Sequence, residues 1–268
     1  MPYANMRDGT RLYYETRGRG EPLVLLAGLG ADHHLWSAVR ADFEARHRVI
    51  VFDQRGTGAS DRPEHPPYST RGFAADVIDL LDHLGIARAH AYGISQGGRV
   101  AQWLGIDHAD RVGALVLGCT SPGNSHGEPR PDFVIALFQR YLCDPDAIHA
   151  MMELLCSPQW LAEHPEFVAE QTAVRGDPIP PAVRRLHFQA AEEHDAWLPL
   201  AGLRVPTLVI HGSDDYQVPT RNAHLLAGRI PGAELVIMPG GRHMFFREFR
   251  DEAGRIVRDF LARHPLRA

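Results

Sequence analysis

A serine stands between glycines at residues 93–97, where the sequence reads Gly-Ile-Ser-Gln-Gly. The pattern G-x-S-x-G is typical of a sharp turn that joins a strand to a helix and lifts the serine hydroxyl clear of the sheet. A hydroxyl held in this way can attack a carbonyl carbon if a base removes its proton and a third group orients the base. Ser95 is therefore a candidate nucleophile. Five residues alone leave an alternative open, a glycine-rich turn around an inert serine.

The residues on both sides of Ser95 favour a strand-to-helix turn. The preceding segment, AHAYGI, is short and β-prone, and a helical pattern begins at Gln96. Glycines suit this turn because a Cβ atom would collide with the adjacent backbone. The N-terminus of the following helix would also favour negative charge that develops near the serine. The context therefore indicates chemistry at Ser95.

An acid and a histidine follow two later predicted strands. The apolar run PTLVIHG precedes Asp214 and Asp215, and the run AELVIMPG precedes His243. Ligands of open parallel sheets bind beyond the carboxyl ends of the strands, so both groups are expected at that edge, together with Ser95. A serine, a histidine and an acid are the groups that activate a hydroxyl for acyl transfer.

Apolar runs and amphipathic stretches alternate along most of the chain. Runs such as 22–28 and 112–120 are typical of strands buried on both faces. Stretches such as 33–47 predict helices, and Asp8-Gly9 predicts a hairpin turn. The predicted fold class is α/β, with a doubly wound, mostly parallel sheet of about eight strands.

The alternation breaks between residues 121 and 203, where helical patches are separated by prolines and no buried strand is evident. Such a segment is too long for a bare loop. We therefore predict a helical cap, residues 121–203, inserted before the strand that carries the acid. The core would then comprise residues 1–120 and 204–268.

Composition limits the classes of partner. Of 268 residues, 44% are hydrophobic and 23% are charged, as in a globular protein with a sizeable core. The net charge of -5 provides no basic field, so neither nucleic acid nor a membrane surface is expected as a partner. All 28 basic residues are arginine, which excludes a lysine nucleophile or Schiff base.

Three cysteines, Cys119, Cys143 and Cys156, show no C-x-x-C spacing, so neither a disulfide framework nor a thiolate zinc site is expected. The N-terminal residues contain no apolar core of signal-peptide length. Together these features predict a cytoplasmic protein, and they leave the oligomeric state open.

Five motifs in order resemble the α/β-hydrolase superfamily, specifically its capped esterase, enol-lactonase and perhydrolase branch. They cover nearly the whole chain and read LLAGLGADHHLW, DQRGTGASD, GISQGG, HGSDDYQVP and GGRHMFF. The acid motif of the family, G-x-x-D-x-x-x-P, falls here on Gly212, Asp215 and Pro219. This register implies Asp215 as the acid. For Asp214 the alternative is a solvated turn residue or a helix cap.

The resemblance implies a catalytic triad without a metal or other cofactor. Ser95 would attack the carbonyl carbon, His243 would transfer the proton, and Asp215 would orient the imidazole. Backbone N–H groups would bind the oxyanion, one from Gln96 and, by resemblance, one from Leu29. Many relatives have a histidine where this chain has an alanine, at position 27, so the hydrogen bonding of that loop must differ.

Several other conspicuous residues have a structural alternative. His33 and Trp36 follow the oxyanion loop and are candidates for lining a substrate pocket. The side chains of His33 and His34 are expected to diverge, which argues against a metal site. Asp53 and Arg55 are expected to fix a nearby loop through charged hydrogen bonds.

The sequence thus predicts a serine hydrolase that cleaves a small, fairly apolar carboxylic ester or lactone through an acyl-enzyme. Two alternatives use the same triad, namely C–C bond hydrolysis and cofactor-free perhydrolysis of the haloperoxidase type. A third is a ligand-binding, non-enzymatic protein of this fold, which the intact triad disfavours. The substrate itself is a small molecule that the sequence does not specify.

Overall fold

A computed structural model of the chain describes residues 2–64, 68–143, 147–172 and 179–266. Its single sheet has the strand order β1-β2-β4-β3-β5-β6-β7-β8. The strands are β1 (Tyr3–Asn5), β2 (Arg11–Arg17), β3 (Glu21–Leu26), β4 (His47–Phe52), β5 (Ala89–Ile94), β6 (Val112–Gly118), β7 (Thr207–Gly212) and β8 (Glu234–Met238). Only the pairs β1/β2 and β2/β4 are antiparallel. The predicted mostly parallel sheet is confirmed, as is the hairpin at Asp8-Gly9.

Helices pack on both faces of the sheet. They are α1 (Ala41–Glu44), α2 (Thr70–His83), α3 (Gln96–Asp107), α4 (Asp132–Cys143), α5 (Ile148–Leu155), α6 (Pro158–Glu163), α7 (Pro165–Thr172), α8 (Pro181–Glu192), α9 (Trp197–Leu200), α10 (Arg221–Arg229), α11 (Phe245–Glu248) and α12 (Arg250–Arg263). Side chains of a strand alternate between faces, so Val24 joins the core cluster that contains Phe73, and Leu25 joins the one that contains Phe260. The predicted double winding is confirmed.

The single helix predicted over residues 33–47 is wrong. The structure has a 3₁₀ helix, His33–Trp36, then turns, then the short α1. Asp32 accepts the backbone N–H of His34 and caps the 3₁₀ helix. The i→i+3 bonds from Ser37 and Val39 then continue a tighter winding than an α-helix.

Helices α4–α9 occupy the described part of the chain between β6 and β7, whereas residues 144–146 and 173–178 of the predicted cap lie outside it. The segment is attached to the rest of the chain by polar contacts. His187 Nε2 lies 2.9 Å from the carbonyl of Arg55, and Thr70 Oγ1 lies 2.8 Å from His194 Nδ1. The division into core and cap stays a prediction. Among the described residues, no helix has the length and apolarity needed to cross a bilayer.

His194 is buried in contact with neutral polar side chains. Its Nδ1 faces the hydroxyl of Thr70 and the indole N–H of Trp103, and its Nε2 lies 3.3 Å from Gln102 Oε1. Burial, together with the positive charge of Arg99, lowers the pKa of His194 to about 3. In the unfolded chain the imidazole would titrate near its ordinary pKa of about 6.5.

We expect this difference to make the protein less stable in acid. Below pH 6.5 the imidazole of His194 is protonated in the unfolded state but stays neutral in the folded state. The free energy of unfolding therefore falls by about 1.4 kcal/mol per pH unit until about pH 3. Urea titrations at pH 7.5, 6 and 5 measure this slope. His194→Asn should reduce the slope by about one proton, and the exposed His224→Asn should leave it unchanged. Equal slopes for wild type and His194→Asn would contradict the assignment.

Candidate active site

Ser95 lies between β5 and α3 with φ of 52°, one of two non-glycine residues with positive φ in the described part of the chain. Such a conformation is strained for a residue with a Cβ atom. It is fixed by backbone bonds: Ser95 donates its N–H to the carbonyl of Gly118, at 2.9 Å, and accepts from Thr120 Oγ1, at 2.7 Å. The turn places Ser95 beyond the carboxyl end of β5, as predicted.

Close backbone contacts explain the glycines around Ser95. A Cβ atom on Gly93 would overlap the carbonyl group of Gly97, and one on Gly97 would overlap the carbonyl of Leu26 at the end of β3. The turn can pack against β3 only because these side chains are absent.

We expect Gly97→Ala to destabilise the protein by about 1–3 kcal/mol, because backbone must shift to admit the methyl group. Urea unfolding measures this change. The matched control is Gly228→Ala in α10, where an added Cβ meets no atom within 4 Å. That variant should gain about 0.5–1 kcal/mol from helix propensity. A neutral Gly97→Ala would mean that the turn is not tightly packed.

The loops after β7 and β8 bring Asp215 and His243 together. His243 Nδ1 lies 2.8 Å from Asp215 Oδ2, and both side chains are buried. The other oxygen, Oδ1, accepts the backbone N–H groups of Gln217 and Val218, at 2.9 and 2.8 Å. Asp214 is exposed and its carboxylate accepts from the hydroxyl of its neighbour Ser213. The pairing with His243 therefore involves Asp215, the residue that the motif register indicates.

A second histidine contacts the same carboxylate, and the sequence analysis missed it. His211 Nε2 lies 3.2 Å from Asp215 Oδ2 and 2.8 Å from the carbonyl of Val218. Burial alone would raise the pKa of Asp215, but the two imidazoles hold it well below its usual range. The carboxylate therefore stays ionised. The spacing of four residues across a strand end was the only available signal for His211.

Ser95 and His243 reach the same edge of the sheet, but no hydrogen bond joins their side chains within the described residues. Their supporting strands are separated by β6 and β7. Cys119 directly follows β6 and therefore lies at the same edge of the sheet, where its thiol contacts the backbone of Ser95. Hydrogen bonds of this kind are often long in ligand-free active sites and shorten when substrate binds.

The two predicted oxyanion donors flank Ser95. A Cβ placed on Gly28, next to Leu29, would lie 4.0 Å from Ser95 Oγ, so the loop after β3 approaches the hydroxyl. Gln96 is the first residue of α3, where backbone N–H groups lack helical acceptors. Within the described residues, neither Leu29 nor Gln96 donates its N–H to another protein atom. Two free donors near one hydroxyl can bind an oxyanion.

The side chain of Gln96 is a feature that the sequence analysis overlooked. It is buried, and neither its amide oxygen nor its amide nitrogen has a hydrogen-bond partner among the residues that the structure describes. Buried polar atoms without a partner are uncommon and costly. The residue beside the candidate nucleophile therefore retains unused hydrogen-bonding capacity.

The two predicted pocket residues differ in their environment. Trp36 is fully buried in the core against Tyr92 and Phe246, and the structure gives it a packing role. His33 is bound to Asp53, with Nδ1 at 2.7 Å from Oδ1. Burial disfavours the charged imidazole, but this carboxylate outweighs it and raises the pKa of His33.

The expected divergence of His33 and His34 is wrong. Their rings lie 4.0 Å apart and Asp32 contacts His34 Nδ1, because the 3₁₀ turn keeps both side chains on one side. Asp32, His33 and His34 thus hold metal-ligating atoms within 4.8 Å of one another. A second such group comprises Glu21, His47 and His90. It lies at the amino ends of the strands, which is the edge of the sheet opposite Ser95.

Asp53 and Arg55 have the structural contacts that the sequence predicts. Asp53 accepts the backbone N–H of Ala59 at 2.8 Å, in addition to its bonds with His33. Arg55 makes a bidentate pair with Asp76, at 2.7 and 2.6 Å.

Cys119 has a buried free thiol, and burial raises the pKa of this thiol, as expected of a small core residue. Cys156 is also buried and free, and the side chain of Cys143 lies outside the described residues.

Comparison with known proteins reveals extensive similarity. A sequence model of the family described as alpha/beta hydrolase fold matches residues 21–142. A protein of Caulobacter sp. (strain K31), named putative carbamate hydrolase RutD, is 32% identical, and the alignment covers 96% of this chain and 98% of that protein.

Solved structures extend the similarity to three dimensions. The enol-lactonase from Burkholderia xenovorans LB400 has a TM-score of 0.84 at 27% identity, with 97% of this chain and 100% of that chain covered. Est816, described as an N-acyl homoserine lactone degrading enzyme, has a TM-score of 0.82 at 30% identity, with the same coverage.

Proposed function

The chain belongs to the α/β hydrolase fold family, and it is a hydrolase. From this premise we propose that it cleaves a small carboxylic ester or lactone through an acyl-enzyme formed on Ser95. The observation that carries this proposal is the pairing of His243 with the buried, ionised Asp215, at the edge of the sheet where the strained Ser95 stands. A carboxylate that fixes an imidazole beside a serine is the arrangement that activates a hydroxyl.

The reaction follows from the roles of these groups. Asp215 accepts a hydrogen bond from the Nδ1–H group of His243, so that Nε2 carries no proton. Nε2 can therefore take the proton of the Ser95 hydroxyl as Oγ attacks the carbonyl carbon. The N–H groups of Gln96 and Leu29 stabilise the oxyanion. His243 then returns the proton to the departing alcohol, and water hydrolyses the acyl-enzyme by the same steps in the second half of the cycle.

The relatives support ester or lactone as the substrate class. Two similar structures at 27% and 30% identity are named as a lactonase and as an enzyme that degrades a lactone. Helices α4–α9 would form the cap that closes the substrate pocket, and its lining would set the size of the acyl group.

Carbamate hydrolysis is a second candidate, because the relative from Caulobacter is named a putative carbamate hydrolase. A carbamate also presents a carbonyl carbon to the serine, so the same groups could act. Its nitrogen makes that carbon less electrophilic, and the oxyanion hole would have to supply more stabilisation.

A substrate panel combined with covalent labelling tests the proposal. We would measure kcat/KM for 4-nitrophenyl acetate, butyrate and octanoate, for γ-lactones of increasing chain length, and for a 4-nitrophenyl carbamate. A fluorophosphonate probe should label Ser95, located by peptide mass mapping, and prior labelling should abolish turnover. Turnover of esters or lactones above the carbamate supports the first candidate, and the reverse supports the second. Absence of both turnover and labelling would overturn both.

A further inference from the structure

A buried arginine next to Ser95 lacks a carboxylate partner. Arg99 lies in the first turn of α3 and donates its backbone N–H to the carbonyl of Ser95, at 3.3 Å. Its side chain is buried and donates to two neutral acceptors, the carbonyl of Ala191 in α8 and Ser121 Oγ at 2.9 Å. In the described part of the chain, no carboxylate oxygen lies within 4.0 Å of its guanidinium nitrogens. A guanidinium has five N–H donors, so several remain available.

Arg99 borders a cavity of about 430 Å³. One wall is the loop after β6, with Ser121. Another is the turn after Asp215, formed by Gln217 and Val218, the two residues whose N–H groups bind that carboxylate. The cavity therefore touches both the helix of the nucleophile and the loop of the acid.

Two arginines and two glutamates line the cavity, and neither glutamate forms an ion pair with Arg99 in the described part of the chain. Burial and the positive charge of Arg130, on the same cavity, lower the pKa of Arg99 to about 10, and the opposing effect of Glu192 is smaller. The carboxylate of Glu192 accepts from Asn124 Nδ2, at 2.7 Å. The carboxylate of Glu128, also on the cavity, lies 3.7 Å from Arg221. Both acids thus face other groups, and a buried guanidinium without a counter-charge is costly.

We propose that this cavity is a carboxylate subsite, and that the substrate is an ester or lactone with a carboxylate remote from its scissile bond. The cleavage of an ester or lactone at Ser95 is taken from the proposed function, and the binding of a carboxylate is inferred from Arg99. The backbone of Arg99 lies one helical turn, ~6 Å along the axis of α3, beyond that of Ser95. A substrate that reaches both residues would need a spacer of a few carbon atoms between its carboxylate and its scissile carbonyl carbon. A guanidinium binds a carboxylate through paired, charge-assisted hydrogen bonds.

Direct binding tests the subsite without any catalysis. Isothermal titration calorimetry would compare glutarate, neutral glutaramide and inorganic phosphate with wild type and Arg99→Gln. We expect glutarate to bind wild type at least about tenfold more tightly than glutaramide, and Arg99→Gln to remove the difference, because the hydrogen bonds between the guanidinium and the carboxylate are then lost. Tighter binding of phosphate than of glutarate would overturn the carboxylate assignment.

Kinetics then links the subsite to the substrate. The ratio of kcat/KM for mono-4-nitrophenyl glutarate to that for 4-nitrophenyl valerate, a neutral ester of equal chain length, should fall at least about tenfold in Arg99→Gln. Ile135 is an exposed residue at the rim of the cavity. Ile135→Glu should lower this ratio and Ile135→Gln should not, which tests charge without disturbing the contacts of Arg99. An equal loss for both esters in Arg99→Gln would overturn the proposal, because it would make Arg99 only a structural link to α8. Glutarate binding without turnover of any ester would preserve the subsite and refute the proposed reaction.

Discussion

Ser95→Ala is expected to lower kcat/KM for the best ester or lactone by at least about a thousandfold, because it removes the only atom that can form the acyl-enzyme. The loss should appear mainly in kcat, since substrate still meets the same pocket. The bonds that fix the turn involve the backbone of Ser95, so alanine should retain the fold. Equal urea midpoints for variant and wild type would verify this.

The control for Ser95 is Ser213→Ala. Ser213 also follows the carboxyl end of a strand, but it is exposed, and within the described residues its hydroxyl bonds only to the carboxylate of Asp214 and the backbone N–H of Gly240. Its replacement should change kcat/KM by less than about twofold, as for most surface substitutions. A Ser95→Ala enzyme that keeps a tenth or more of wild-type activity would mean that another group performs the attack.

The sequence predicted which edge of the sheet carries the candidate residues, because that position depends on strand order. Strand ends in a parallel sheet lie at a common edge, so Ser95, Asp215 and His243 could be placed together from three local patterns. The motif register also separated Asp215 from Asp214, although nothing in their composition distinguishes the two. The backbone decides between them, since the turn directs Asp215 inward to the N–H groups of Gln217 and Val218.

The sequence predicted poorly those side-chain contacts that depend on the geometry of a turn or on the packing of distant segments. The contact of His211 with Asp215 depends on how tightly the chain turns after β7, and no periodicity encodes this. The two neutral acceptors of the Arg99 side chain, the carbonyl of Ala191 and Ser121 Oγ, belong to α8 and to the loop after β6, so they emerge only when these segments are in place. For His33 and Trp36, proximity along the chain to the oxyanion loop was a weak guide, because the 3₁₀ turn sends one to Asp53 and the other into the core.

Asp215→Asn should lower kcat/KM by about a thousandfold or more with little change in the fold, because it alters which nitrogen of His243 carries the proton. If the asparagine oxygen still accepts the hydrogen bonds from the N–H groups of Gln217 and Val218, the NH₂ group of the asparagine faces Nδ1 of His243. That donor selects the tautomer with the proton on Nε2, which cannot accept the proton of Ser95. Substrate analogues should still bind, so the loss belongs to kcat.

The matched control, Asp214→Asn, makes the same chemical change one residue away. Asp214 is exposed and its carboxylate contacts only Ser213 among the described residues, so kcat/KM should stay within about twofold of wild type. Proton NMR of the imidazole N–H signals should also reveal the altered tautomer in Asp215→Asn and not in Asp214→Asn. If the two variants lost activity equally, the carboxylates would act only through their common charge, and the orienting role of Asp215 would be wrong. A large loss confined to Asp215→Asn would tie catalysis to the 2.8 Å bond between Asp215 and His243.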